Sequence, residues 1–245
     1  MKVVGIIPAR LQSTRLPRKA LIDIMGLPMI IHTYKRSQLS KKLRDVYVAT
    51  DSEEIAEIVR SFNGKVIMTG SHHKTGSDRL AEACLSVDAD IIVNIQGDEP
   101  LVYPEHIDAI TEPLLADPSV LISVGVTPYK EKKSFSDIKA VLDIESNILY
   151  CSRTDIPSDA RAPVQEMLKM CFIVPFRKKF LLQFASWSPT PLEVIEYNEY
   201  LRVLEHGIKL KAIKVRGASI SVDTAGDLEK VRKLMENDTV RHFYS

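Results

Sequence analysis

A basic loop follows the first apolar stretch of the sequence. The segment 7–21, IPARLQSTRLPRKAL, contains the cations and small hydroxyl donors Arg10, Ser13, Thr14, Arg15, Arg18 and Lys19. Four cations within ten residues suit the binding of a polyphosphate. The spacing matches neither GxxxxGK[ST] nor GxGxxG. A solvated basic loop is the alternative, but the position directly after a predicted strand favours phosphate binding.

Two carboxylates stand where apolar stretches end, and each is predicted to end a strand. Asp98 follows DIIVNI within QGDEP, and Asp223 ends the stretch SISVD. Mg²⁺ prefers one or two carboxylates together with phosphate oxygens and water, so we predict that both acids hold a magnesium ion. Capping is the alternative for a single Asp, and it is the role we predict for Asp227, which favours the helix dipole. Neither acid has the His or Cys neighbours of a zinc site.

Alternating strand and helix patterns in the first half predict how these side chains are positioned. Strands are predicted at 2–8, 44–50, 65–68 and 90–95, and helices at 28–39, 52–62 and 77–85. This alternation predicts an α/β fold with a Rossmann-like, mostly parallel sheet and helices on both faces. Because the carboxyl ends of parallel strands share one edge, we expect the basic loop and Asp98 at the ligand-binding edge.

The second half has a different pattern and predicts a smaller, partly antiparallel region. Strands are predicted at 120–127, 138–143, 147–152, 169–176 and 209–215, and helices at 192–205 and 226–235. The polar segment 158–165 is predicted to be a mobile loop.

Composition narrows the class of protein. The chain has 245 residues, of which 33 are basic, 32 are acidic and 45% are hydrophobic. The charge balance argues against a nucleic-acid binder, and the hydrophobic content argues against disorder. No apolar run reaches the roughly 18–20 residues that span a membrane, and no signal-peptide pattern is evident. Three scattered cysteines predict neither disulfides nor a CxxC metal site, so we expect a cytoplasmic enzyme.

A set of motifs runs through nearly the whole chain in a fixed order. They are IPAR, STRLP followed by Lys19, VATD, MT with HxxGxxR, QGDEP, YxSRxxIP, PLExxE and VDTxxDLE. Together they resemble the CMP-KDO synthetases (3-deoxy-manno-octulosonate cytidylyltransferases), which have the nucleotide-sugar pyrophosphorylase fold. The resemblance implies Mg²⁺-dependent transfer of CMP from CTP to the anomeric hydroxyl of KDO or a related 2-keto-3-deoxy sugar acid, with release of pyrophosphate. It also implies a role in lipopolysaccharide or capsule polysaccharide biosynthesis.

The resemblance assigns roles to individual residues. It implies that Lys19, Arg15 and Asp98 are catalytic and that Asp98 and Asp223 bind the metal. The cations suit stabilisation of the transition state and the leaving pyrophosphate. Nucleotide-binding residues are implied at Pro8, Ala9, Arg10, Ser13, Lys19, His73, Thr75, Ser77, Arg79 and Gln96. Sugar-binding residues are implied at Gln96, Arg153, Glu193 and Glu196.

The implied sugar-binding side chains have chemistry suited to an acidic sugar. A guanidinium such as that of Arg153 can bind a carboxylate through two hydrogen bonds. Glu193 and Glu196 match acids near the sugar hydroxyls and are predicted to lie on one face of a helix, three residues apart. A solvated helix face is the alternative for this pair.

One stretch departs from the family pattern, which is close to RHxGxYxYR. Met170, Phe172 and Val174 stand at its His, Gly and first Tyr. The departure predicts a less polar sugar wall, weaker binding of KDO, and 8-amino-KDO or another acidic sugar as the alternative acceptor. Lys169 is the candidate replacement for the missing cation. The other interpretation is a shifted alignment in which Met170 packs in the core.

The resemblance also implies an organisation for the chain. We predict a single domain, 1–245, in which 1–125 mainly binds nucleotide, 126–215 binds sugar and forms a homodimer interface, and 216–245 carries the Asp223 motif and a terminal helix. Two other functions stay open. Arg153 disfavours a sugar 1-phosphate nucleotidyltransferase, and Lys19 with the two metal carboxylates disfavours a non-catalytic nucleotide-binding protein.

Overall fold

A computed structural model describes residues 1–13, 15–73, 75–217 and 219–244 of the chain. The strands of these residues are β1 (Val3–Ala9), β2 (Asp23–Ile24), β3 (Leu27–Pro28), β4 (Asp45–Thr50), β5 (Lys65–Met68), β6 (Ile91–Ile95), β7 (Ser123–Tyr129), β8 (Lys139–Leu142), β9 (Ile148–Ser152), β10 (Met167–Cys171), β11 (Ile173–Arg177) and β12 (Lys211–Lys214). The α-helices are α1 (Met29–Gln38), α2 (Glu53–Ser61), α3 (Gly76–Leu85), α4 (Pro104–Ala116), α5 (Lys178–Ser186), α6 (Pro191–Glu196), α7 (Tyr200–Glu205) and α8 (Ala225–Met235).

The chain folds into two compact units. The first unit contains Met1–Asp108 and Ser219–Ser245, and the second contains Ala109–Ala218. The structural bounds differ from those of the predicted functional stretches. The predicted bound at 125/126 falls inside β7. This strand pairs with β12 and β10 in the sheet of the second unit, so its first residues belong to that unit. The division of functions among the predicted stretches stays a prediction.

A parallel sheet forms the centre of the first unit. Its strands include the run β6–β1–β4–β5, in which every neighbouring pair is parallel. Their apolar β-branched sequences are largely buried in β1, β4 and β6, as is typical of a sheet covered on both faces. The predicted mostly parallel α/β fold is confirmed. The loops after β1, β4, β5 and β6 therefore leave the sheet at the same edge.

Side-chain caps fix where the helices of the first unit begin. The Ser52 hydroxyl accepts the backbone N–H of Ile55 at 3.3 Å and so caps the start of α2. Thr75 and Asp78 form a capping box at α3, and Thr224 and Asp227 form another at α8. Each box satisfies N–H groups that the helix leaves without an intrahelical partner. Asp227 therefore has the predicted helix-terminal role.

The C-terminal helix packs against the segment that follows the basic loop. Their buried cluster consists of Ile24, Met29, Leu101, Val222, Leu228, Val231 and Met235. Beyond α8, the Asp238 carboxylate pairs with Arg36 of α1, whose side chain is almost fully buried. This ion pair connects the segment after α8 to α1. Among the residues described, the helices are all too short or too polar to cross a membrane.

The second unit contains a mixed sheet in the order β12–β7–β10–β8–β9. Strand β12 runs parallel to β7, whereas the β7–β10, β10–β8 and β8–β9 pairs are antiparallel. This confirms the predicted partly antiparallel region. The segment 158–165 contains neither helix nor strand, and its mobility stays a prediction.

Several predicted elements of the second unit are wrong. The single helix predicted at 192–205 is two short helices, α6 and α7, because Tyr197 adopts a left-handed conformation with φ of 50° and ends α6. The strand predicted at 169–176 is the pair β10 and β11, with Phe172 between them. Helices α4 and α5 were not predicted, and α4 contains Pro113, a residue that normally breaks a helix interior.

Candidate active site

The basic loop after β1 holds Lys19 between two carboxylates. The Lys19 ammonium lies 2.6 Å from Asp98 Oδ2 and 3.1 Å from Asp223 Oδ1. Burial of Lys19 lowers its pKa, but the charges and hydrogen bonds of the two acids outweigh this effect and raise the pKa above 10.5. Lys19 is therefore protonated, and the structure brings together both predicted metal ligands at one cation.

The other cations of the loop extend this cluster unequally. Arg15 Nη2 lies 2.9 Å from Asp223 Oδ1, so that carboxylate contacts two cations. Arg18 pairs instead with Glu54 of α2, away from the two acids. Arg10 is exposed and Ser13 is half-buried, whereas Thr14 lies outside the described residues. Two of the four predicted phosphate-binding cations thus converge on the carboxylate pair.

A close backbone approach positions Asp98. It follows Gln96 and Gly97, which leave β6 at the ligand-binding edge. A side chain on Gly97 would place a Cβ atom 3.1 Å from the carbonyl oxygen of Pro8 and 3.2 Å from Ile30 Cδ1. This tight fit lets the turn lie against the end of β1. Pro8 and Gln96 are half-buried and Ala9 is buried beside this turn.

Asp223 reaches the cluster by a different route from the one predicted. Residues 219–223 form no strand, so the prediction that Asp223 ends one is wrong. Instead, the backbone N–H of Val222 donates to the carbonyl oxygen of Asp98 at 2.9 Å. The buried Val222 side chain anchors the same segment in the α8 core. One backbone hydrogen bond thus aligns two segments that are far apart in sequence.

The predicted nucleotide-binding residues near α3 also have structural partners. Thr75 caps α3, and Ser77 is buried in its first turn. Arg79 Nη1 donates to the Thr69 hydroxyl at 2.5 Å, and its Nη2 lies 3.3 Å from the Asp51 carboxylate. Because Thr69 follows β5 and Asp51 follows β4, Arg79 connects two loops at the ligand-binding edge.

In the second unit, Arg153 is occupied by backbone carbonyl groups. Its Nε donates to the carbonyl oxygen of Glu196 at 2.8 Å and its Nη2 to that of Tyr197 at 3.1 Å. Its Nη1 donates to the carbonyl oxygens of Phe135 and Ser136 at 3.0 and 3.2 Å. Four of its five N–H groups are therefore engaged. In this arrangement the guanidinium connects the end of α6 to the loop before β8.

The Glu196 carboxylate accepts hydrogen bonds from β9 and the residue after it. Its donors are the hydroxyls of Ser152 at 2.6 Å and Tyr150 at 3.1 Å, and the backbone N–H of Arg153 at 2.8 Å. Burial raises the pKa of Glu196, but the bonds from Ser152, Arg153 and Tyr150 outweigh it and hold the pKa below 4.5. Glu196 is therefore ionised at neutral pH.

Glu193 lies in a different environment although it belongs to the same helix. It forms a buried ion pair with Arg202 of α7, whose Nε lies 2.7 Å from Glu193 Oε2. Glu193 also forms a capping box with Thr190 at the start of α6. The two acids therefore contact separate groups, and neither forms the solvated helix face that was the alternative prediction.

The stretch that departs from the family pattern packs largely inside the second unit. Met170 and Val174 are 1% and 0% exposed. Phe172 stacks on Tyr200 with 5.9 Å between ring centroids, and Lys169 pairs with Asp137. Burial supports the core-packing interpretation for Met170. The prediction that the side chains of Met170 and Val174 present an apolar wall to the sugar is not supported, because they are inaccessible.

Two buried cations of the second unit were missed in the sequence. Lys139 is fully buried, and its ammonium donates to the carbonyl oxygens of Ser134, Asp137 and Arg153. Arg202 is 4% exposed and pairs with Glu193. The available signal was a single cation inside an otherwise apolar run, IKAVL for Lys139 and YLRVL for Arg202. A buried cation needs such partners to offset its loss of hydration.

Comparison with known proteins gives consistent matches over almost the full chain. A family model described as cytidylyltransferase matches residues 4–213. The 3-deoxy-manno-octulosonate cytidylyltransferase of Geobacter metallireducens is 44% identical, with 94% of this chain and 96% of the relative covered. The protein of the same name from Geotalea uraniireducens is 45% identical, with 94% and 98% covered.

A solved structure also matches the fold. It is that of CMP:2-keto-3-deoxy-manno-octonic acid synthetase complexed with CTP, with a TM-score of 0.93 and 36% sequence identity. The match covers 96% of this chain and 99% of that chain. Sequence and structure therefore point to the same family.

Proposed function

The chain belongs to the 3-deoxy-manno-octulosonate cytidylyltransferases, and from this premise we propose how its residues carry out the reaction. The enzyme transfers CMP from CTP to KDO. The anomeric hydroxyl of the sugar attacks the α-phosphorus, and pyrophosphate leaves. Phosphoryl transfers of this kind depend mainly on positioning and on stabilisation of negative charge.

The observation that carries the proposal is the cluster of Lys19, Asp98 and Asp223. These three side chains are partly exposed, at 18%, 25% and 35%, and they lie at the end of the sheet where α/β proteins bind ligands. We assign Lys19 and Arg15 to the negative charge of the triphosphate and of the departing pyrophosphate. Lys19 lies within hydrogen-bonding distance of both carboxylates and Arg15 within that distance of Asp223, so both cations are held beside the proposed metal ligands.

Asp98 and Asp223 fit a magnesium ion. They supply two oxygen ligands and remain accessible, and Mg²⁺ prefers a few carboxylates completed by phosphate oxygens and water. When bound, the ion would neutralise phosphate charge and polarise the phosphorus centre. The ammonium of Lys19 contacts both carboxylates and would then turn to the phosphate oxygens. Two carboxylate oxygens without a nitrogen or sulfur ligand favour Mg²⁺ over zinc.

Nucleotide recognition is assigned to the loops at the same edge of the first unit. Arg10, Ser13, Pro8, Ala9 and Gln96 belong to the loops after β1 and β6. His73, Thr75, Ser77 and Arg79 belong to the segment around the start of α3. Within this segment Arg79 acts by positioning the loops, because its guanidinium is already bound to Thr69 and Asp51. Selectivity for cytosine requires that protein groups form hydrogen bonds with the edge of the base, so that a different base leaves those groups unpaired.

We assign Arg153 and Glu196 to the sugar acid, and the resemblance implies the same role for Gln96 and Glu193. Arg153 and Glu196 are only partly buried and lie next to each other. Glu193 is buried against Arg202, so its assigned role is to position α6 rather than to touch the substrate. Homodimer formation and a cytoplasmic location stay predictions from the resemblance and the composition.

Pyrophosphate release tests the proposed function. The full chain would be assayed with each nucleoside triphosphate and KDO in the presence of Mg²⁺, and then with CTP and a panel of acidic sugars that includes 8-amino-KDO. We expect turnover with CTP and KDO and at least about 100-fold less with UTP or ATP, as for a site built to pair a specific edge. Equal turnover with UTP would contradict the nucleotide assignment. Turnover with only a non-KDO sugar would contradict the acceptor.

A further inference from the structure

A cluster of metal-ligating side chains lies beside the segment that leads into α3. It consists of His72, His73 and Glu82, and one ligand atom from each lies within 4.8 Å of the other two. Among the residues that the structure describes, it is the one group of three or more His, Cys, Asp or Glu side chains close enough to hold an ion. The two imidazole rings lie with centroids 4.3 Å apart.

The backbone is shaped to bring these side chains together. The N–H of Gly70 donates to both carboxylate oxygens of Glu82, at 3.2 and 3.0 Å, and so orients the acid. A Cβ atom on Gly70 would lie 2.5 Å from the His72 ring, so any other residue would push that ring away. His73 Nε2 contacts Glu82 directly. Glycine at position 70 therefore both orients the acid and admits His72 to the cluster.

We propose that His72, His73 and Glu82 bind a divalent transition-metal ion of the Zn²⁺ type. Imidazole nitrogen and carboxylate oxygen are the ligands zinc takes, at about 2.0–2.2 Å. Tetrahedral ligand atoms at that distance lie about 3.4 Å apart, so the contact between His73 and Glu82 opens slightly and His72 moves inward. Water fills the fourth position. The hydrogen bond between His73 and Glu82, which lowers the pKa of the acid, is replaced by the metal bond.

This site differs in chemistry from the carboxylate pair of the active site. Asp98 and Asp223 offer oxygen alone, which suits Mg²⁺, whereas nitrogen ligands favour transition metals over Mg²⁺. Arg79, whose Nη1 donates to the carbonyl oxygen of Gly70 at 3.3 Å, is paired with Asp51, so its positive charge is partly neutralised. An exposed His72 leaves a path for the ion from solvent.

Metal binding has a consequence for the reaction that rests on the proposed function. His73 is also assigned to the nucleotide, so a bound Zn²⁺ removes it from CTP and raises the KM for CTP. The metal links the segment after β5 to α3 and acts as an inhibitor. Binding itself requires neither CTP nor KDO, so a failure of metal binding would leave the proposed function untouched.

Calorimetry of the chelator-treated full chain with Zn²⁺ alone tests the site. We expect one ion per chain and a raised Tm, because a ligand that binds the folded state stabilises it. H72Q and E82Q should each weaken binding at least about 100-fold, since even the outer partners of a metal site are worth 10–100-fold. The matched control H242Q changes an exposed histidine elsewhere and should bind like the wild type.

The possible outcomes separate the site from its consequence. The site is overturned if Zn²⁺ does not bind the wild type, or if H72Q and E82Q bind Zn²⁺ as tightly as the wild type does. Both variants should have the wild-type Tm in the absence of metal. Because His72 and Glu82 lie in different elements, a loss of Zn²⁺ binding in both variants is not explained by a folding defect in one of them. In the activity assay, Zn²⁺ should raise the KM for CTP in the wild type and not in H72Q. If Zn²⁺ binds but leaves the KM for CTP unchanged, the proposed competition between Zn²⁺ and CTP is wrong and only the metal site is supported.

Discussion

The two units use opposing charges in contrasting ways. In the first unit Lys19, Asp98 and Asp223 come from three distant segments and stay partly open to solvent. In the second unit Glu193 and Arg202 are both nearly inaccessible, and Arg202 also donates to the carbonyl oxygens of Phe184 and Trp187. Lys19, Asp98, Asp223 and Glu193 all stand in motifs of the same family, so the motifs alone do not separate the two clusters.

The difference shows which charges are available for a substrate. An open cluster can exchange one partner for another, because water stabilises each group during the exchange. A buried pair is fixed, since removing one partner leaves a charge without hydration. We therefore expect substitutions in the first cluster to affect turnover and substitutions in the second to affect stability.

The largest effect is expected from D98N. The amide keeps the shape of the carboxylate but loses its charge, so turnover should fall at least about 100-fold, as when one group that stabilises a transition state is removed. The Tm should change little, because Lys19 keeps Asp223 as its partner. Pyrophosphate release at saturating Mg²⁺ and a thermal melt measure the two effects. D88N, which alters an exposed surface ion pair, is the control. Near-normal turnover of D98N would remove this residue from the active site.

E193Q should produce the opposite result. Arg202 would keep its buried charge without the carboxylate, which costs roughly 3–5 kcal/mol of folding free energy. For a chain of this size that lowers the Tm by about 6–20 °C. Turnover per folded molecule, measured well below the melt, should change much less than in D98N. The double variant E193Q/R202M should recover part of the loss because no charge is stranded. A stable E193Q with lost turnover would place Glu193 at the substrate instead.

E196Q tests the pH dependence of the second unit. Its hydrogen bonds hold the folded-state pKa of Glu196 below 4.5, so the native state binds fewer protons than the unfolded state. The resulting stabilisation is present above pH 4.5 and is lost as the pH falls through the folded-state pKa. Urea unfolding on both sides of that pH should show the wild type more stable than E196Q at neutral pH, with a gap that narrows in acid. E229Q, an exposed acid, should show no such gap.

The smallest effect is expected from M170L. Leucine and methionine have similar volumes, so a fully packed site tolerates the exchange at less than about 1.5 kcal/mol. Because Met170 is inaccessible, the kcat/KM for KDO should stay within about twofold of the wild type, which corresponds to under 1 kcal/mol. Steady-state kinetics with KDO and 8-amino-KDO measure this. A tenfold change for either sugar with an unchanged Tm would show that position 170 senses the acceptor after all.

The fold of the first unit is predictable because local and global signals agree there. Apolar runs bounded by caps such as Ser52 specify both the strands and where the helices begin. In the second unit, the break between α6 and α7 depends on the left-handed Tyr197, a non-glycine residue whose conformation no sequence pattern marks. The separation of β10 from β11 likewise depends on tertiary pairing, which overrides local propensity.

The site shows the same division. Residue type and position predict that Lys19 and Asp98 meet, because both follow strands of one parallel sheet. The approach of Asp223 depends on a backbone bond from a segment with no strand, which spacing does not reveal. The engagement of Arg153 by four carbonyl groups is also hidden, since a guanidinium that binds a substrate and one that supports a loop have the same sequence.

The hydrogen bond between Val222 and Asp98 also determines when the carboxylate pair can form during synthesis, because both segments must first be translated. Translation delivers Lys19 and Asp98 early, and an N-terminal region begins to fold while the rest is still being made. Asp223, with the α8 residues that anchor it, leaves the ribosome well after Asp98. A nascent chain that stops before Asp223 therefore carries the cations of the basic loop and a single acid. It lacks the second carboxylate, so under the proposed function we expect it not to turn over CTP.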